Sequence, residues 1–527
     1  MGLPANGSSW PPVEHTDRYS RMRINSAWYG GDPQRLKQIY GGDLHATRTK
    51  TGLAGAISNV FGWFWGRVDT TQADDKMHVP VAQDIATISS ELLFAKTPKF
   101  TVQYTQFQPD GTPDPAQTEA VKATQARLDY LLDQCGFDAT LLAAAEVSAA
   151  LGSTAFKIAW DKSQRNTPVI VRVDADAVVP EYKWGQLVAV TFWSVVARDG
   201  EQRWYHLERH ERGAIFHGLY KGEHGNLGIQ VPLTDSSATA YLAQLVDQDG
   251  KIRTVADAQT AVSIPNMLPD ALDRNSNAGR SDFTPGVISL FDAIDKTYTS
   301  LMRDIDDGRS RLIVADYMLD SKGAGKGVEF DNDQHIFTKL KMQPNDKGDS
   351  PITQVQFAMR VQEHIAAIEL LTSKAIKAAG YSPQSMGDYE GGSAITATEV
   401  EAREGRSLST RMKKLRYWQS LEQLLESLLK IDAEFFASGI TPLPVKMEVP
   451  PPAEDSMKYL AETVEIMKRA EASSLRVRVS VLHPDWDDAE IDAEIERIQA
   501  ESSIVDPLTF GMGGNGLDLT ATDPLAP

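Results

Sequence analysis

The sequence predicts an α+β fold, mainly helical, on three observations. Apolar residues recur at helical spacing in long segments, as at 284–308, 359–383 and 396–437. Between Ala155 and Ile264 the apolar period drops to two. Gly or Pro stands where most of these segments must stop. The composition agrees. Of 527 residues, 42% are hydrophobic and 24% charged, the usage of a globular chain rather than a disordered one.

Residues 1–50, rich in Pro, Gly and Ser, are expected to form an arm with one short helix near Arg35–Tyr40. The most apolar segment, Leu53–Trp65, is interrupted by Gly, Ser and Asn and is too short to span a bilayer. His78–Val102 predicts a helix with Ile85, Ile88, Leu92 and Leu93 on one face, ended by Pro98, then a strand. Gln117–Cys135 and Ala139–Leu151 predict two more helices, stopped by Gly136 and Gly152. Strands follow, with Phe156, Ile158 and Trp160 alternating, as do Val169, Val171 and Val173. The Asn/Gly/Ser-rich run 270–281 predicts a loop.

At 284–308, Thr284 is placed as N-cap, Pro285 as first helical residue and Gly308 as stop. Val287, Phe291, Ile294, Tyr298, Leu301 and Ile305 form a packing seam. Short strands are expected at Leu312–Val314 and His335–Phe337. Met359–Pro383 is helical again, with Gly380 as its end. A Gly-rich polar loop follows: Gln384, Ser385, Met386, Gly387, Asp388, Tyr389, Glu390, Gly391, Gly392 and Ser393. Thr396 and Glu399 form a capping box that opens a helix running to about Ala437. About 40 residues of helix would reach roughly 60 Å, so kinks are expected. Its seam is assigned to Leu408, Met412, Leu415, Leu421, Leu425 and Leu428. Two helices, near 456–472 and 485–502, joined by Leu475–Leu482, complete the chain.

Charge narrows the function. Lys and Arg total 53 against 72 Asp and Glu, a net of −19. That excludes a surface broadly basic enough to grip nucleic acid. Residues 431–527 hold 7 basic and 19 acidic residues, a net of −12, so most of the acidity is C-terminal. One cysteine, Cys135, excludes an intramolecular disulfide framework. The first twenty residues lack the basic-then-apolar pattern of a secretory leader.

The search for chemistry returns no catalytic, cofactor or metal residue. Gly511, Gly513 and Gly516 match a dinucleotide spacing without the flanking strand and helix, and Gly323–Gly327 lacks the Ser or Thr a phosphate loop needs. His206 and His210 are four apart on an expected strand, hence about 13 Å apart, too far to share a metal. Asp304, Asp306 and Asp307 crowd a helix C-terminus, where acids oppose the macrodipole unless a cation meets them. The run Asp485–Glu496 reads as a solvated helix face over buried Ile491, Ile495 and Ile498.

What remains is an order of parts: two seamed helices around a small insertion, a Gly-rich loop, a long helix, and an acidic helical end. With SELLFAKTPKF (90–100), AAEVSAALGSTAFKIAWD (144–161), SPQSMGDYEGGSAITATEVEAREGRS (382–407) and LHPDWDDAEIDAEIERIQAE (482–501), this order resembles the portal proteins of tailed bacteriophages, the head-to-tail connectors, of the type found in phages of actinobacteria. The resemblance implies a non-enzymatic subunit of a homo-oligomeric ring, usually of twelve, at one capsid vertex of the virion, made in the host cytoplasm and not in a membrane. It implies an N-terminal arm (1–50), wing (51–283), first stem helix (284–308), clip (309–356), second stem helix (357–381), tunnel loop (382–395), long wing helix (396–438), crown (439–505) and tail (506–527). The implied partners are double-stranded DNA passing through the channel, terminase, a head-completion or adaptor protein, and the major capsid and scaffold proteins. No cofactor is implied. Residues 384–393 would face DNA, Lys374 and Lys377 would touch phosphates or form salt bridges, and the Val287–Ile305 seam would pack against a neighbouring subunit. Two rival readings are an acidic metal-dependent nuclease built on the Asp304 cluster or the Asp485 run, and another oligomeric virion scaffold protein.

Overall fold

A computed structural model describes residues 2–40, 64–66, 76–109, 111–162, 165–307, 311–314, 352–355, 360–386, 397–450, 457–483, 486 and 488–504. The fold is mixed α+β in two compact units, Met1–Pro450 and Pro451–Pro527.

The N-terminal arm is a correction: residues 2–40 are built into the first unit. The backbone N–H groups of Gly7 and Trp10 donate to Gly228 and Gly225 at 2.6 and 3.0 Å, and Trp10 is buried against Tyr205, Leu207 and Tyr220. Helix α1 (Thr16–Gly30) follows, then α2 (Pro33–Gln38), the short helix expected there, capped by Asp32 accepting from the Gln34 amide at 3.0 Å. Trp28 of α1 is fully buried between the rings of Phe291 and His78. The buried face of α1 mixes Arg18, Met22, Asn25, Ala27 and Trp28, so no apolar period announced it.

The next elements follow the expected pattern. Helix α3 (Val81–Phe94) leads into β1 (Lys99–Val102), and α4 (Pro115–Cys135) and α5 (Phe137–Leu151) come after. Gly136 and Gly152 end the last two in left-handed conformations, φ 56° and 97°. At Gly152 a Cβ would also stand 2.8 Å from the Ser281 amide nitrogen. The loop before the next long helix therefore lies directly on this turn.

The period-two region forms two antiparallel sheets. Strands β2 (Ser153–Ala159), β3 (Val169–Asp174) and, later, β10 (Ala261–Pro265) pair in the order β10-β2-β3. Strands β4 (Val178–Lys183), β5 (Gln186–Asp199), β6 (Gln202–Glu211), β7 (Ala214–Glu223) and β8 (Asn226–Val231) form a meander, with β9 (Lys251–Arg253) also on β7.

Helix α6 (Pro285–Asp307) and α7 (Val361–Ala379) form an antiparallel pair. At one end Asp304 meets Arg360 and His364, and at the other Asp282 meets Tyr381. Between them β11 (Arg311–Val314) pairs with β12 (Ile352–Val355); the strand expected at 335–337 lies outside the described residues. The pair corrects the seam. Val287, Phe291, Ile294 and Leu301 are buried within this one chain, the first three in a cluster with Ile85, Ala375 and Ile376. Tyr298 is half-buried, and only Ile305, 40% exposed, is left over at the far end. A helix expected to wait for another subunit had its partner in the same chain.

The long helix divides into α8 (Ala397–Trp418) and α9 (Leu421–Phe436), with the break at Gln419 and Ser420. Thr396 lies outside the described residues. The second half keeps its expected face, since Leu421, Leu425 and Leu428 are fully buried. The first half does not, because Met412 is 56% exposed and Leu408 and Leu415 are half-buried. Among its described side chains, α8 buries Ser407, Thr410, Arg411, Lys414 and Trp418. Strand β13 (Val445–Glu448) pairs with β1, so a boundary at 439 cuts through the first unit.

In the second unit, α10 (Met457–Arg469), α11 (Leu475–Leu482) and α12 (Asp488–Ile504) pack in sequence. The segment expected to join two helices is itself a helix, capped by Ser474. Ile491 is buried and Ile495 and Ile498 are half-buried, as expected of an acidic amphipathic helix.

Candidate functional site

The polar face of α8 leads to the site. Gly380 ends α7 at φ 107°, and a left-handed residue there turns the chain toward α8. Thr410 donates its hydroxyl to the Gly380 carbonyl at 2.6 Å. The Ser382 amide donates to Ser407 Oγ at 2.8 Å, and the Ser385 and Ser407 hydroxyls lie 2.9 Å apart. Two α8 residues thus hold the start of the Gly-rich loop.

Beneath that start lies a buried charge. Lys414 Nζ donates to Ser89 Oγ at 2.7 Å, Asp282 Oδ2 at 2.6 Å and Tyr381 Oη at 2.8 Å. An ammonium has three protons, and all are used. Tyr381 Oη donates to Asp282 Oδ2 at 2.7 Å, and Asn266 Nδ2 to Asp282 Oδ1 at 2.9 Å. The Lys414 and Asp282 side chains are 1% and 0% exposed. Burial pushes the Lys414 amine below its ordinary value, with Asp282 opposing the shift. Burial and the Asp282 charge push the Tyr381 phenol well above its own. One network therefore ties α3, the turn before α6, the second residue after α7, and α8. Arg411 adds hydrogen bonds to the carbonyls of Leu92 and Pro450.

The predicted loop residues divide. Gln384, Ser385 and Met386 occupy a single 3₁₀ turn, Pro383–Met386, where Ser382 Oγ donates to Gln384 Oε1 at 2.6 Å. Gly387, Asp388, Tyr389, Glu390, Gly391, Gly392 and Ser393 lie outside the described residues. Lys374 and Lys377 are exposed on the last two turns of α7. Sequence reasoning missed Ser89, Asp282, Tyr381 and Lys414. The signal was present as a polar stripe at 407, 410, 411 and 414, at the same helical spacing an apolar face would have.

The other candidates resolve into structural pairs. Asp304 accepts from His364 at 3.0 Å and Arg360 at 3.2 Å, and the His364 hydrogen bond, with Arg360, holds its carboxyl below the usual range despite the opposing effect of burial. Arg360 is the cation that a carboxylate at a helix C-terminus requires. His206 and His210 lie on β6 as expected, but this polar strand face is covered. His210 is 2% exposed and bonds Thr260 Oγ1 at 2.7 Å and Glu208 Oε1 at 2.9 Å. His206 stacks on His217. Among the described residues, no group of three His, Cys, Asp or Glu side chains is placed to hold a metal.

The family model described as "Phage portal protein, SPP1 Gp6-like" matches residues 12–507. The chain belongs to the phage portal protein family. The match takes in every helix from α1 to α12, including the loop anchorage around Lys414 and the acidic second unit. The family is a structural one, a head–tail connector and capsid component of the bacteriophage virion. No curated protein matches the chain. No helix among the described residues is long and apolar enough to cross a membrane.

Proposed function

We propose that the chain is the subunit of a closed ring at one capsid vertex, of twelve copies as is usual for such connectors, through which double-stranded DNA is packaged and later ejected. The family match over residues 12–507 carries this reading. In it, α6 and α7 are the stem, and the antiparallel pair β11 and β12 roots the clip, where terminase and later an adaptor dock. Residues 384–393 line the channel, and the second unit forms the crown, inside a shell of capsid and scaffold proteins.

Two features support the channel assignment. The loop carries Asp388 and Glu390 and no Lys or Arg, so it does not bind phosphates tightly. Its first residues are anchored by the Ser385–Ser407 contact, beside the buried Lys414 network, which gives the Gly-rich stretch a fixed starting point. Negative-stain microscopy of the purified chain should show rings with a central hole. Monomers that persist at high concentration with scaffold protein present would contradict the ring. Gly391→Pro with Gly392→Pro should leave rings intact and impair DNA packaging; normal packaging would rule out a moving loop.

A further inference from the structure

Helix α8 is amphipathic in the wrong sense for a single chain. It turns Arg411 and Lys414 inward and shows Met412 to solvent, 56% exposed, with Leu408 and Leu415 half-buried beside it. Arg406, Lys413 and Arg416 are exposed on the same side, at spacings of seven and three that keep them on one stripe. None of the three makes an ion pair among the described residues. Met and Arg are the residues that protein interfaces favour, and an apolar side chain shown to solvent among unpaired cations suits a contact better than water.

The same chain carries the complement. Helix α4 buries Val121, Leu128 and Leu131 and turns Tyr130 outward, 47% exposed. On that outward side stand three exposed acids, Glu119, Asp129 and Asp133, and one exposed cation, Lys122. None of these four makes an ion pair among the described residues either. Among the described residues, three cations give the α8 face +3, and three acids with one lysine give the α4 face −2. Met412 and Tyr130 are both exposed, so neither face covers the other within one chain. Two unlike, complementary faces on one chain are what a head-to-tail contact needs. Each copy offers α8 to one neighbour and α4 to the other, and such contacts can close into a ring. A DNA backbone would neutralise the cations of α8 but would leave Met412 uncovered.

We propose that the exposed face of α8 docks on the exposed face of α4 in a neighbouring copy of the chain. Met412 lies against the Tyr130 ring, a favourable contact for a thioether, and Arg406, Lys413 and Arg416 lie among the acids of α4. The inference rests on the ring reading and adds to it the surfaces that join one subunit to the next.

Two variants of the full chain, each with one face reversed in charge, test it. Lys413→Glu with Arg416→Glu makes α8 acidic, and Asp129→Lys with Asp133→Lys makes α4 basic. As separate subunits both should melt like the parent, since all four positions are exposed. Each alone should give about tenfold fewer rings by microscopy at equal concentration, because like charges now meet across the contact. Mixed in equal amounts, the two should recover ring formation, as acidic α8 meets basic α4 and basic α8 meets acidic α4 around an alternating ring. Parental ring yield from either variant, or a mixture as poor as its components, would overturn the proposal. Parental ring yield from the α8 variant with weakened DNA binding would also overturn it and assign those cations to the duplex. A parent that forms no rings even with scaffold protein removes the ring and this contact together, whereas parental rings with indifferent variants remove the contact alone.

Discussion

At the scale of single residues, Lys414 is the most exacting position in the chain. Its ammonium is desolvated, and its three protons are matched by three oxygens from α3, the turn before α6, and the second residue after α7. Such a pair is weak evidence for stability, because desolvation offsets much of the attraction. Breaking it is another matter. Lys414→Met strands the Asp282 carboxylate in the interior and should cost about 3–5 kcal/mol in urea unfolding. Adding Asp282→Asn removes the stranded charge while keeping a group that Tyr381 and Asn266 can still bond. The double variant should recover most of the loss. A Lys414→Met protein within about 0.5 kcal/mol of the parent, as for an ordinary surface change, would mean the network is not closed as described.

At the scale of elements, the six-stranded sheet contains the densest set of shifted groups among the described residues. Burial alone would raise the Glu208 carboxyl, but the His210 hydrogen bond and the Lys157 charge overcome it and hold Glu208 well below the carboxylate range. Burial pushes His217 down to about 4 from an ordinary 6.5, and lowers His206 and His210 as well. Both kinds of shift act in the same direction. The depressed carboxyl contributes stability above its unfolded value, which is lost as pH falls through the folded one. The histidines protonate in the unfolded chain first, so the folded state loses ground from pH 6.5 downward. For His217, at about 1.4 kcal/mol per pH unit, the loss down to pH 4 is about 3 kcal/mol. His217→Gln, which cannot titrate, should flatten the stability profile between those pH values. Parallel losses in the parent and the variant would show that His217 is not the source.

The same elements show what was legible beforehand. Helices closed by Gly136, Gly152 and Gly380 were legible because a stop and an apolar face agree there. So were the strands, whose alternation follows from one buried side. The face of α8 was not, since an apolar criterion selects Met412 over Lys414, and only tertiary structure supplies Ser89 and Asp282. Helix α1 was hidden for the same reason, with Arg18 and Asn25 on its buried side. The break at 419–420 left no Pro or Gly to announce it. The buried network was illegible because its members are drawn from positions 89, 266, 282, 381 and 414.

At the scale of the whole molecule, the net charge of −19 and a DNA partner are compatible only if contact with DNA is sparse. Lys374 and Lys377 are where that contact would lie, being exposed on α7 close to the loop. In a ring each position recurs in every subunit, so individually weak phosphate contacts add. At physiological salt their reach is about 8 Å, which confines the effect to a surface the duplex passes closely. Lys374→Glu with Lys377→Glu therefore separates two geometries. If the lysines face the channel, rings should form and melt as in the parent, while DNA affinity and its salt dependence both fall and packaging slows. If the lysines instead pair with acids across the subunit boundary, ring assembly should fail first, and DNA affinity per assembled ring should be unchanged. Ring yield by microscopy, measured beside DNA binding over a salt series, distinguishes the two. Loss of assembly with unchanged DNA binding would remove these lysines from the channel wall.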